Sequence, residues 1–123
     1  MNKKSVKSYE DLIVWKKSMI LVKSIYQITG NYPKSEMFGI TSQMRRCAIS
    51  IPSNIAEGSL RNSLKDYARF LHISYGSAAE LQTQINISGM LTYLSKEDLD
   101  ALLKQVKEVL MMLNGLLRSI KST

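Results

Sequence analysis

Histidine and cysteine each occur only once in this 123-residue chain, as His72 and Cys47. A single cysteine rules out an intrachain disulfide. A closed zinc site needs four nitrogen or sulfur ligands, more than the chain holds. Carboxylate-bridged di-iron bundles need two Glu-x-x-His pairs, and one histidine excludes them. Proline is confined to Pro33 and Pro52, and glycine to six positions, none arranged as a phosphate-binding loop. No run approaches the roughly 18 apolar residues of a membrane span. The Leu12–Trp15 run that follows the basic start is too short for a signal-peptide core. These absences set the expectations of no metal, no cofactor, no catalytic residue, no membrane partner and a cytoplasmic location.

Acidic residues are scarce as well, 10 against 17 Lys and Arg, for a net charge of +7. The imbalance is uneven: residues 1–70 hold 12 bases and 5 acids, whereas residues 71–123 hold 5 of each. A basic excess gathered in one part of a chain points to a polyanionic partner, RNA or DNA. Apolar residues make up 45% of the sequence. At this length they serve one core, so residues 1–123 read as a single domain behind a flexible basic tail over residues 1–8.

The apolar residues recur at helical spacing. In the first helix, Leu12, Trp15, Met19, Val22 and Tyr26 form a core stripe. The quartets Leu12–Trp15 and Met19–Val22 make this helix apolar beyond one face. Ile13, Val14, Ile20 and Leu21 are therefore expected at an oligomer interface. Gly30 suits a left-handed cap and Pro33 the exit from it. Ser35 is expected to cap a second helix with Met37, Ile40, Met44, Ala48, Ile51 and Ile55 as its stripe. Pro52 falls within it and predicts either a kink near Ser50 or two collinear pieces, ending at Gly58. Ser63 opens a third helix with Leu64, Tyr67, Leu71, Ser74, Ala78, Leu81 and Ile85 inward, and Gly76–Ala79 allow close helix approach. Ser95 caps the fourth, with acids at its start, bases at its end and a stripe from Leu99 to Ile120. Short loops between four such helices predict an all-α, antiparallel up-down-up-down four-helix bundle.

Candidate functional residues fall into two groups. Lys16, Lys23, Arg45, Arg46, Arg61, Lys65 and Arg69, with Lys3, Lys4 and Lys7, are candidates to track a phosphate backbone. No aromatic side chain alternates with them in sequence, and no helix-turn-helix or zinc-finger spacing offers base readout, so binding is expected to have little sequence preference. Asn54, Glu57, Ser77 and Glu80 lie among apolar neighbours and are candidates for a structural polar network that fixes helix register. His72 lacks a partner constellation and reads as structural or as a surface residue. The alternative to nucleic-acid binding is an oligomeric scaffold or protein-docking module.

Several segments also resemble a known family. Ser42-Gln43-Met44-Arg45-Arg46, Ser50-Ile51-Pro52-Ser53-Asn54-Ile55-Ala56-Glu57-Gly58 and Gly76-Ser77-Ala78-Ala79-Glu80-Leu81 look like the four-helix bundle proteins of the 23S rRNA intervening-sequence family. Tyr9–Trp15 and the Tyr32–Glu36 turn fit too, so the resemblance spans nearly the whole chain. It implies a bacterial antiparallel bundle assembled as a homopentamer. It is also similar to the accessory variability determinants of diversity-generating retroelements, which implies nucleic acid and a reverse transcriptase as partners. Cys47 stands where a small alanine is commoner in that family.

Overall fold

The computed structural model describes residues 8–121; Lys3, Lys4, Lys7 and most of the expected tail lie outside them. Four helices, α1 (Ile13–Thr29), α2 (Ile40–Ser59), α3 (Leu64–Met90) and α4 (Lys96–Lys121), carry the fold, and the described residues contain no strand. Two three-residue 3-10 turns, Tyr9–Asp11 and Lys34–Glu36, precede α1 and α2. Ser8, placed in the tail by sequence, instead accepts the Glu10 backbone N–H on its hydroxyl and starts the first turn.

Contacts between neighbouring helices run in opposite chain order. Met44 meets Ser88 and Ile51 meets Ser74 across α2 and α3. Arg45 of α2 reaches Thr29 at the end of α1, and Lys17 of α1 pairs with Glu108 of α4. Gly89 of α3 packs on Leu99 of α4. The core consists mainly of leucine, isoleucine and valine from all four helices, with Leu21, Ile51, Leu81 and Leu113 fully buried.

Capping explains where α3 and α4 begin. Ser63 and Ser95 accept the backbone N–H groups of Asp66 and Asp98 at 3.1 and 3.0 Å, as their positions predict. Ser35 does not cap α2. The Lys34–Glu36 turn delays the helix to Ile40, where the Glu36 carboxylate accepts the free backbone N–H, and Met37 stays outside the core. Gly30 ends α1 in right-handed conformation, and it is Thr92, between α3 and α4, that takes a positive φ of 57°. Pro52 lies buried inside a continuous α2.

The buried stripe of α1 is not the expected one. Val14, Ser18, Leu21, Ile25 and Thr29 face the core, while Met19 and Tyr26 are exposed. Two of these five carry hydroxyls, which are satisfied within the helix. Ser18 donates to the Trp15 carbonyl at 2.7 Å and Thr29 to that of Ile25 at 2.6 Å, which removes the penalty of burying them. Val14 and Leu21 therefore belong to the bundle's own core, at 6% and 0% exposure, and cannot serve an oligomer interface. Ile13 and Ile20 do point outward, at 63% and 57%. On α3, Leu64 is exposed, and the close approach expected at Gly76 does not occur, since a Cβ there would meet nothing within 4 Å.

Candidate nucleic-acid interface

The basic residues singled out by sequence divide into two sets. Arg45 is engaged inside the bundle: its guanidinium lies 4.6 Å over the Tyr26 ring, its Nε donates to Thr29 Oγ1 at 3.0 Å, and it clasps α1 to α2. Arg61 and Arg69 flank Phe70, at 4.8 and 4.5 Å from the ring centre, and are paired with Glu57 and Asp66 respectively. This stack neutralises much of the charge near the α2–α3 turn. Lys16, Lys23, Arg46 and Lys65 are exposed, and they carry no ion pair among those formed by the described residues. Lys16 and Lys23 stand on the outer side of α1, with Ile13 and Ile20 at the same heptad-type spacing.

The polar network forms in part. Asn54 donates to the Ser50 carbonyl at 2.9 Å and to its hydroxyl at 3.0 Å, and Ser50 and Ser77 share a hydrogen bond of 2.8 Å between α2 and α3. Ser74, which sequence placed only in the apolar stripe, donates to the Ile51 carbonyl at 2.9 Å and adds a buried bond between the same helices. Glu57 takes no part, because it faces solvent and holds Arg61. Glu80 is hydrogen-bonded to none of these residues, and lies one turn from Ser77 on the wall of a groove that Ser50 and Ser77 also line.

That groove runs between α2 and α3, has a volume of about 500 Å³, and is lined by Phe38, Ser42, Gln43, Arg46, Cys47, Ser50, Ser77 and Glu80. Its lining is mixed in charge and polarity. Phe38, eight residues ahead of Arg46 in sequence, stands at the groove 96% exposed. The sequence offered no aromatic alternating with bases; the fold supplies one by bringing the α2 entry beside Arg46. A 96% exposed phenylalanine is the signal that sequence alone could not provide.

Cys47 is held as a neutral thiol. Burial, followed by the nearby Glu80 carboxylate, pushes it up to about 11, against which the neighbouring Arg46 charge acts only weakly. A thiolate is the reactive form. Cys47 is therefore expected to react with a disulfide reagent at pH 8 about 100-fold more slowly than an exposed thiol, and to speed up about tenfold per pH unit until near pH 11. Labelling kinetics across pH check this; a rate that levels off by pH 9 would contradict it. Because the folded thiol holds its proton more tightly than the unfolded one, its contribution to stability is full below about pH 9 and is lost as pH rises toward 11.

A second groove, apolar and about 720 Å³ in volume, follows α4 past Leu103, Met111 and Met112, with Lys104, Lys107, Glu108 and Asp100 on its edges. A smaller one joins Ile13 to Met112 and Leu116 across the α1–α4 seam. Among the described residues, no group of three or more His, Cys, Asp and Glu side chains is placed to hold a metal ion, and no helix is long and apolar enough to cross a membrane.

Fold and surface together define a small basic four-helix bundle with a polar groove between α2 and α3 and apolar grooves along α4 and the α1–α4 seam. The chain belongs to the 23S rRNA-intervening sequence protein family, whose model matches residues 10–115. It is similar to a crystal structure from Bacteroides thetaiotaomicron, described as a protein of unknown function from the S23 ribosomal protein family. The identity is 22% over 85% of this chain and 98% of that one, with a TM-score of 0.78. No curated protein matches the sequence.

Proposed function

We propose that this chain is a non-enzymatic, cytoplasmic, oligomeric accessory protein that binds RNA or DNA chiefly through charge. The observation that carries the reading is the basic excess of residues 1–70, of which Lys16, Lys23, Arg46 and Lys65 are exposed with no ion-pair partner in the described structure. The family resemblance supports a homopentamer and a protein partner such as a reverse transcriptase. Each copy brings +7, so a ring of five carries +35, enough to concentrate a polyanion at low salt.

Titration with structured RNA and duplex DNA between about 50 and 200 mM salt tests the reading. Micromolar or tighter binding at the low end, weakening steeply toward the high end, is expected. Changing Lys16, Lys23, Arg46 and Lys65 to alanine is expected to reduce the slope of log affinity against log salt by about 3 to 4 on duplex DNA. Absence of binding at about 50 mM would overturn it.

A second reading, a scaffold that assembles or docks protein without nucleic-acid affinity, is favoured by the exposed Ile13, Ile20 and Met111 and the apolar α4 groove. It predicts assembly by light scattering together with a flat nucleic-acid titration.

A further inference from the structure

We infer that the groove between α2 and α3 holds one unpaired guanine nucleotide of a nucleic-acid strand, stacked on Phe38, read by Glu80 and held at its phosphate by Arg46. The inference rests on the nucleic-acid reading above and gives it a base-specific contact.

Three features of the groove lead to this ligand. Its volume of about 500 Å³ falls in the range of about 300 to 1,000 Å³ usual for small-molecule sites. The ring of Phe38 is open to solvent and offers a stacking face, the commonest protein contact for an unstacked base. Arg46 and Glu80 line the same groove without pairing to each other. The site therefore presents a cation for a phosphate and, apart from it, a carboxylate that can only accept hydrogen bonds.

The floor supplies the remaining contact. Ser50 and Ser77 share one hydroxyl hydrogen across their 2.8 Å bond, and the Ser50 oxygen also accepts from Asn54. Two hydroxyls carry two hydrogens, so one remains outside that bond, whichever serine gives the first, and in the proposed complex it turns to the base.

A donor next to an acceptor pair matches one base. Guanine places two donors, N1–H and the 2-amino group, side by side, with the acceptor O6 next to them. The carboxylate of Glu80 takes the two donors, and the free serine hydroxyl serves O6. Adenine and cytosine put a ring-nitrogen acceptor beside their amino group and would oppose it to Glu80, while uracil offers a single donor.

The test uses the full chain, with guanosine monophosphate and its adenosine, cytidine and uridine counterparts followed by calorimetry, and with oligouridine strands of about ten nucleotides with or without one guanosine. Guanosine monophosphate is expected to bind best, and the guanosine-bearing strand about tenfold tighter than plain oligouridine. Phe38→Ala and Glu80→Gln alter exposed side chains and so leave the fold intact. Both are expected to remove this preference without changing the salt slope. Equal binding of the two strands, or a preference that survives both substitutions, overturns the guanine site while leaving charge-driven binding in place. If no strand binds at about 50 mM salt but the mononucleotide does, the groove is confirmed as a nucleotide site and the wider nucleic-acid reading fails.

Discussion

Replacing Gly58 with alanine is expected to destabilise the bundle by about 1–3 kcal/mol, although alanine is the better helix former by about 1 kcal/mol. Gly58 lies in the last turn of α2, where α3 begins its return. A Cβ there would sit 2.7 Å from Phe70 Cβ, 3.1 Å from Tyr67 Cδ1 and 3.2 Å from the Tyr67 carbonyl oxygen. Neither a Cβ nor a backbone oxygen can swing aside, so the two helices would have to part. Gly76 and Gly115 provide the control, since a Cβ at either meets nothing within 4 Å. Alanine at these two is expected to raise stability by about 0.5–1 kcal/mol. Denaturant midpoints for the three variants decide the matter. A stable Gly58→Ala protein would mean that the motif ending in Glu57-Gly58 owes its glycine to something other than the approach of α3.

Leu21→Ala is expected to cost about 2–5 kcal/mol, the range for a fully buried leucine. Changing Ile20, its immediate neighbour, to lysine should leave the stability of the single bundle within about 0.5 kcal/mol, because the side chain already faces solvent. Combined with Ile13→Lys, it is expected instead to lower the mass seen by light scattering, as these two residues form the outward apolar strip of α1. An assembly unaffected by the double substitution would move the interface elsewhere, with the α4 groove the next surface to change. The pair of experiments separates core from contact surface on one helix, a distinction of a single residue in phase.

That phase marks the limit of what the sequence conveys. Ser63, Ser95 and the centre of the α4 stripe, Leu102, Val106, Val109 and Leu113, were legible because a capping side chain meets a regular apolar periodicity, although Leu117 rather than Leu116 closes the buried row. In α1, two apolar stripes overlap, and the one that is buried contains Ser18 and Thr29. A pattern that scores polarity by residue type passes over it, whereas the fold tolerates both hydroxyls because each returns its hydrogen to its own helix. The candidate site shows the same division. The basic bias of the first 70 residues needs only counting. Which arginines are taken up by Tyr26 and Phe70, and that Phe38 stands beside Arg46 and Glu80, depends on distances between helices that no local spacing encodes. Glu57 and Glu80, alike in their sequence surroundings, end in different roles, one holding Arg61 and the other lining the α2–α3 groove, for the same reason.

The seams of the bundle are unequally closed. Side-chain hydrogen bonds from Arg45, Ser74 and Ser88 and the shared bond of Ser50 and Ser77 tie α2 to both of its neighbours. The α1–α4 border shows a 3.5 Å ion pair between two half-exposed side chains and an open apolar cleft. Such unevenness sets an order of opening: the α1–α4 edge breathes first, while the α2–α3 hairpin persists longest as a cooperative unit. Amide protons near that edge accordingly exchange earliest, and a subunit seated against it would act as a latch on the closed bundle.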